Sequence, residues 1–205
     1  EAMILKEGPD TIAAFFTEPI MGSGGVIVPP DTYYEKIQIV LKKYDILLVA
    51  DEVITAFGRT GNMFGTTTMK LVPDMIVCAK GLSSAYLPIS ALMINERVFR
   101  EMSEKSDEIG VFGLTFTYSG HPVSAKVAIE TLKIYEEKNI VEHVRQMEPF
   151  LLNGLRELSY HPLVGEIRGK GLLAGVELVA NKKTKKAINP KIGVGKFCAE
   201  RAEHH

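Results

Sequence analysis

Residues 47–61 read LLVADEVITAFGRTG, and the change of character within this stretch decides the fold. From Ile46 to Ala50 the chain is an unbroken apolar run, the pattern of a strand buried on both faces. Asp51 and Glu52 close the run, and a glycine-punctuated turn follows. A buried strand gains nothing by ending on an acid unless that acid meets water or a cationic partner. Asp51 is therefore expected at the tip of a sheet, facing something polar.

Working outward, the same texture recurs. TIAAFFTEPI (11–20) is a strand that runs into the polar loop MGSGGVIVPP. A helix follows, with Thr32 and Glu35 spaced as a capping box and an apolar face at Ile37, Val40, Leu41 and Tyr44. DMIVCAK (74–80) and PISALMI (88–94) are two more short apolar runs rich in Ile, Val and Met. Short buried strands alternating with helices define an α/β fold with a substantial parallel sheet. From Gly110 to His121 the composition turns to Gly, Thr, Phe and Ser, the mark of a loop, and Pro122 opens a long helix reaching about Lys138. Val144, Met147, Leu151, Leu155 and Leu158 form a second helical pattern with Pro149 inside it, which predicts a kink or a break. Beyond Pro162, EIRGKGLLAGVELV (166–179) alternates like a pair of hairpin strands, and KKTKK (182–186) follows. A domain change is expected between about residues 138 and 162, dividing the chain into 1–145 and 146–205. There is no internal repeat and no low-complexity tract.

The 205 residues are 46% hydrophobic and 24% charged, an ordinary composition for a soluble globular protein. A net charge of −1 gives no electrostatic case for nucleic acid or an anionic membrane. The apolar runs are strand-sized, short of the roughly 20 residues of a spanning helix. Cys78 and Cys198 make no disulfide framework, so a reducing cytoplasm is the expected compartment. No signal-peptide pattern opens the chain, which begins with Glu1. GVGKFCAERAEHH (193–205) reads as a helix that stops in mid-pattern, so the chain is expected to be a piece of a longer one. The pair His204-His205 is too short for a metal site, and no metal is expected.

Two residues carry chemistry. Asp51 and Lys80 each lie at the carboxyl end of an apolar strand, where open α/β sheets bind ligands. Lys80 precedes the small-residue turn GLSS, which offers no helical face to explain a long cation. A lysine drawn to the end of a buried strand is expected to be desolvated, which favours its neutral amine. A neutral amine forms Schiff bases with aldehydes. An acid on the neighbouring tip could hold a positive ring nitrogen of the same ligand. Pyridoxal phosphate needs both partners, an amine for its aldehyde and a carboxylate for its pyridine nitrogen.

ADEVITAFGRTG, the lysine in DMIVCAKGLS, and TFTYSGHPVSA together resemble the class III aminotransferases, pyridoxal-phosphate enzymes of fold type I. The likeness runs from TEPIMGSGG to RGKGLLAGVEL, with the motifs in the family's order. It implies a large domain with a mixed, mostly parallel sheet and helices on both faces, of which residues 1–145 are the second half. Residues 146–205 would begin an α+β small C-terminal domain. By resemblance Lys80 is the Schiff-base lysine and general base, Asp51 the partner of the pyridine nitrogen, and Val53 the side chain packed on the ring. Thr117 matches the threonine that reaches the phosphate of the neighbouring subunit's cofactor, which implies a homodimer with shared sites. His121 and Pro122 would shape the loop and start the helix.

Two departures narrow the substrate. The ornithine, acetylornithine and 4-aminobutyrate branches resemble EPxxxE, and where they carry the second glutamate this chain has Ser23. They also carry glutamine where this chain has Ile54. Both changes resemble the branch that transfers an amino group from ω-amino acids or simple amines to pyruvate or a similar keto acid. The family's N-terminal phosphate loop, stacking aromatic and substrate-carboxylate arginine would lie outside this chain. An aminomutase or a decarboxylating relative would share Asp51 and Lys80, and release of carbon dioxide would tell these apart. A truncated, non-catalytic association module is the reading from a different class.

The remaining polar residues have plainer roles. Glu52 is expected to be structural, paired with Arg59, and Glu18 to be a buried, hydrogen-bonded strand-end carboxylate. Cys78 packs in the sheet, its apolar neighbours raising rather than lowering the thiol pKa. His143 and His161 belong to a helix surface and a turn. RGKGLLAG lacks the strand, loop and helix order of a nucleotide site.

Overall fold

A computed structural model describes residues 1–114 and 116–203. In chain order the elements are α1 (Ala2–Glu7), β1 (Ala14–Thr17), α2 (Tyr33–Lys43), β2 (Leu47–Asp51), α3 (Gly65–Met69), β3 (Met75–Cys78) and β4 (Ala91–Ile94). There follow α4 (Glu96–Ile109), α5 (Pro122–Glu137), α6 (Ile140–Glu157), β5 (Val164–Lys170), β6 (Leu173–Asn181), β7 (Lys186–Ala187) and α7 (Val194–Ala202). His204 and His205, at the end of the α7 pattern, lie outside the described residues, as does Thr115 of the TFTYSGHP motif.

The first sheet has the order β1-β2-β3-β4. β1, β2 and β3 are mutually parallel and β4 returns antiparallel to β3. Leu48, Val49 and Ala50 are all essentially inaccessible, which is why the second strand reads as an unbroken apolar run. Two core clusters flank this strand. One joins Tyr34 and Leu41 of α2 to Ile46, Leu48 and Leu71, with Ile37 and Tyr44 packed against it. The other joins Cys78, Leu82 and Ala56 to Ala128 of α5. Each fully buried Leu or Ile contributes about 1.5–3 kcal/mol relative to exposure. The helices therefore hold the strand tips in place through their apolar faces.

The second sheet is antiparallel, order β5-β6-β7. Its hairpin turns at Gly171 and Leu172, as the alternating sequence implied. Gly171 has φ +60°, and a Cβ there would lie 2.4 Å from the Arg59 carbonyl oxygen, so only glycine fits. The turn is fastened to the loop after β2: Leu172 N donates to Arg59 O at 3.0 Å and Arg59 Nη1 to Leu172 O at 3.2 Å.

Two local expectations are corrected. The Thr32–Glu35 box is not formed: Thr32 has φ −88° and ψ −4° and its side chain caps nothing, whereas an N-cap needs extended backbone. Pro149 does not break its helix; α6 runs through it from Ile140 to Glu157. Burial of Val144 before the proline and Leu152 after it holds the helix on both sides. The boundary drawn at 145/146 lies within this same helix. Helix α4 was not anticipated, although Asn95 caps it by accepting from Val98 N at 3.0 Å.

Candidate active site

Three charged residues leave the first sheet at one end. β1 runs out at Thr17 into Glu18, β2 ends on Asp51, and Lys80 follows β3 by two residues. With these strands parallel, Thr17 sits opposite Ala50 and Asp51 opposite Val77, so Asp51 and Lys80 occupy adjoining tips. Asp51 is half-buried, and its Oδ1 accepts from Val53 N at 3.0 Å. That is the only hydrogen bond of its carboxylate among the described residues. It lines an open cleft of about 570 Å³ together with Thr17, Glu18, Tyr33 and Tyr34.

Lys80 is exposed, and its amine makes no hydrogen bond or ion pair among the described residues. The expectation of a desolvated amine is thus corrected: the residues around Lys80 in this chain leave it open to water. Its backbone is unusual, with φ +40° at the start of a short 3-10 turn, Lys80–Leu82. A non-glycine residue in that region costs on the order of 1–3 kcal/mol and persists only where the surroundings impose it. Leu82 is buried in the second core cluster, and Ser83 Oγ donates to Leu87 O at 2.7 Å.

Beside Asp51, Glu52 has the opposite fate. It is fully buried, accepting from Thr55 Oγ1 at 2.6 Å, Gly65 N at 2.9 Å and Thr66 N at 2.6 Å. Its role is structural, as expected, but the pairing with Arg59 is not made. The two backbone amides lie 13 and 14 residues on and leave no trace in side-chain identity. Glu18 is half-buried and accepts from Gly22 N at 2.8 Å. Burial first, and then the Glu52 charge, push the Cys78 thiol pKa up, as read from its neighbours. Burial likewise raises Tyr34, whose hydroxyl donates to Glu18 O.

Val53 is half-buried one residue beyond Glu52. Thr117 lies exposed in a turn between α4 and α5, where Ser119 N donates to Phe116 O at 2.9 Å, and no hydrogen bond links its side chain to Asp51 or Lys80. The loop that carries Ser23 and the one that carries Ile54 lie side by side: a Cβ on Gly22, next to Ser23 in the chain, would come within 2.6 Å of Ile54 Cδ1. His143 is exposed on α6, and His161 Nδ1 accepts from Leu163 N in a turn.

Sequence reading passed over the residues that hold these tips from outside. Arg168 Nε donates to Gly25 O at 2.8 Å while its Nη1 meets Glu177 at 2.7 Å, fastening the loop that carries Ser23 to the second sheet. Arg145 Nε donates to Gly61 O at 2.7 Å. Tyr135 Oη donates to Gly81 O at 2.6 Å. All three bind backbone carbonyls. Tyr135 alone carried a signal, as the one aromatic in the largely charged KIYEEK. Among the described residues no group of three His, Cys, Asp or Glu side chains is arranged to hold a metal. No described helix is long and apolar enough to cross a membrane.

The mostly parallel α/β sheet that carries Asp51 and Lys80 on neighbouring strand tips has the fold of the solved fold type I transaminases. The chain belongs to the class-III aminotransferase family, whose model matches residues 1–202. Among curated proteins it is 54% identical over 203 residues to a probable gamma-aminobutyrate transaminase 3, mitochondrial, of Oryza sativa subsp. indica, covering 99% of this chain and 40% of that one. It is 52% identical over 205 residues to gamma aminobutyrate transaminase 3, chloroplastic, of Solanum lycopersicum, covering 100% and 39%. Among solved structures, an omega transaminase of Pseudomonas jessenii in complex with PMP is 56% identical with a TM-score of 0.90, covering 92% of this chain and 42% of that one. The chain thus spans about 40% of the length of the curated relatives it matches.

Proposed function

We propose that this chain is the lysine-bearing part of a pyridoxal-phosphate-dependent transaminase. The observation that carries the reading is the pair Asp51 and Lys80, opposite charges on adjacent tips that are bonded neither to each other nor to any other charged group. A buried ion pair would neutralise both; here each has bonding capacity left for a ligand. The residues fit pyridoxal phosphate, with the amine free for its aldehyde and the acid for its ring nitrogen. When bound, that cofactor supplies an aldehyde for the donor's amine and a protonated ring that draws electrons from the donor carbon.

Lys80 is the residue that would hold the cofactor covalently and, as a neutral amine, would serve as the base that moves the proton from the donor carbon. Asp51 keeps the ring nitrogen protonated, oriented through the bond its Oδ1 accepts from Val53 N. Val53 would pack on the ring. Thr117, exposed in one chain, reaches the phosphate in a homodimer with shared sites. Desolvation of Lys80 would come from the rest of the full-length protein, from that partner and from the bound ring, since this chain's described residues do not supply it. Residues 1–145 act as the cofactor-binding part and 146–205 as the start of a smaller domain.

We read the donor as an ω-amino acid or simple amine and the acceptor as pyruvate or a similar keto acid. Ser23 and Ile54, on loops that lie side by side, support this by leaving out the acid and amide of the EPxxxE branches. The plant relatives named gamma-aminobutyrate transaminases fit the same class, because γ-aminobutyrate is itself an ω-amino acid. Ser23 and Ile54 therefore separate the chain from a motif and not from that donor. The free thiols Cys78 and Cys198 support a reducing compartment, the cytoplasm or an organelle such as those named for the plant relatives. The test is the full-length protein supplied with pyridoxal phosphate, γ-aminobutyrate or a simple amine, and pyruvate. Alanine should accumulate without carbon dioxide. Carbon dioxide release, or rearranged donor with no alanine, would replace transamination by decarboxylation or amino migration.

A further inference from the structure

The strained backbone at Lys80 raises the question of what imposes it. The 3-10 turn holds itself through Leu82 N to Ala79 O at 2.9 Å and Ser83 N to Lys80 O at 3.3 Å. Among the described residues the only hydrogen bond reaching this turn from a distant element comes from Tyr135, 54 residues on from Gly81, near the end of α5. Its hydroxyl donates to the carbonyl of Gly81, the residue after the lysine, at 2.6 Å. A phenol has a single proton. With that proton on Gly81 O, the 3.0 Å contact between Tyr135 Oη and Ser84 Oγ must be a donation from the serine. Serine, tyrosine and carbonyl thus form one directed chain across the turn.

The tyrosine ring makes a second connection. It stacks on Phe57 with centroids 6.1 Å apart and planes at 26°. Phe57 belongs to the loop that leaves Asp51, and it too has positive φ, +57°. It presses on Gly81 so closely that a Cβ there would come within 3.0 Å of the Phe57 ring. One half-buried side chain therefore touches the loop after the lysine through its hydroxyl and the loop after the aspartate through its ring.

We propose that Tyr135 is a positioning residue for Lys80, setting the direction of the amine relative to Asp51 by clamping the Gly81 carbonyl. It touches no reacting atom. The inference rests on the reading of Lys80 given above and adds to it which residue orients that lysine. A misplacement of the reacting amine lowers the rate of the chemical step while leaving donor binding little changed.

The test is made on full-length protein, first without added cofactor. The rate at which acetic anhydride acetylates Lys80 is followed against pH by peptide mass spectrometry, with Lys43 and Lys126 as internal references. Tyr135→Phe keeps the ring and its stack and removes the donated proton. Its Lys80 rate profile should move by roughly threefold or more while the reference lysines stay fixed, and kcat should fall roughly tenfold with KM for the donor within about twofold. Superimposable Lys80 profiles, with only a lower melting temperature, would overturn the proposal. If Tyr135→Phe does not fold, Ser84→Ala removes the donor to the tyrosine hydroxyl; a smaller shift in the same direction supports the clamp and no shift overturns it. Borohydride reduction with pyridoxal phosphate is run beside it. Label on a lysine other than Lys80 would defeat the functional reading, while the acetylation profile would still decide the role of Tyr135.

Discussion

The loop that follows Asp51 and the loop that carries Thr117 are both assigned to the same site, yet the chain treats them in opposite ways. Between residues 52 and 66 nearly every polar group is spoken for. Glu52 takes three donors, Thr60 bonds Thr68 at 2.7 Å, and Arg145 and Leu172 reach in from later elements. A Cβ on Gly65 would lie 2.7 Å from Thr55 Cβ. Between 111 and 121 the described residues point outward: Phe116 is 71% and Tyr118 85% exposed. A Cβ on Gly113 or Gly120 would meet nothing within 4 Å. The first loop is finished by its own chain. The second has the apolar composition of an interior with no interior around it among the described residues, so what covers it lies outside this chain, which spans about 40% of its curated relatives.

The largest way to break this contrast is Glu52→Ala. Removing an acceptor that serves three buried donors should cost about 3–5 kcal/mol, read as a drop in the urea midpoint of the full-length protein. A loss below about 1 kcal/mol would mean that the Glu52 network does not hold the loop. A matched pair of glycines sharpens the comparison. Gly65→Ala should destabilise by about 1–3 kcal/mol through overpacking, and Gly113→Ala by less than about 0.5 kcal/mol. Equal effects would erase the distinction between the loops.

A smaller effect tests the buried side by pH. The Cys78 thiol is raised by burial and by Glu52, so the folded protein keeps a proton that the unfolded chain releases. Stability from this group is complete below the ordinary thiol range and declines as pH rises through it, above roughly pH 8.5. Cys78→Ala should flatten that alkaline decline in thermal melts. The smallest stability effect belongs to Thr117→Ala, which should leave the urea midpoint unchanged while weakening retention of pyridoxal phosphate on dialysis. Unaltered retention would remove Thr117 from the site.

The contrast also explains what could be read in advance. The placement of Asp51 and Lys80 at neighbouring strand ends was legible because an apolar run that stops on a charge marks where a buried strand emerges. The hairpin was legible from its alternation, and α5 from Pro122. Glu52 was legible as structural but not in its partners, since charge pointed to Arg59 and the structure used backbone amides of Gly65 and Thr66. Backbone groups are the same in every residue, so the carbonyl partners of Tyr135, Arg145 and Arg168 were invisible for the same reason. The capping box failed because spacing does not fix the φ and ψ of Thr32. Of the kink or break expected at Pro149 the break is not made: tertiary burial on both sides outweighed one lost hydrogen bond. The exposure of Lys80 was misjudged because strand-end position says where an amine emerges, not what covers it.

The central claim is that Lys80 and Asp51 grip one pyridoxal phosphate from adjoining strand tips. Reducing the full-length protein with borohydride in the presence of that cofactor and mapping the modified peptide tests it most directly. The account predicts label on Lys80, none after Lys80→Ala, and in Asp51→Asn a labelled lysine with turnover down roughly 100-fold or more. Label on a different lysine, or full turnover in either variant, would contradict it.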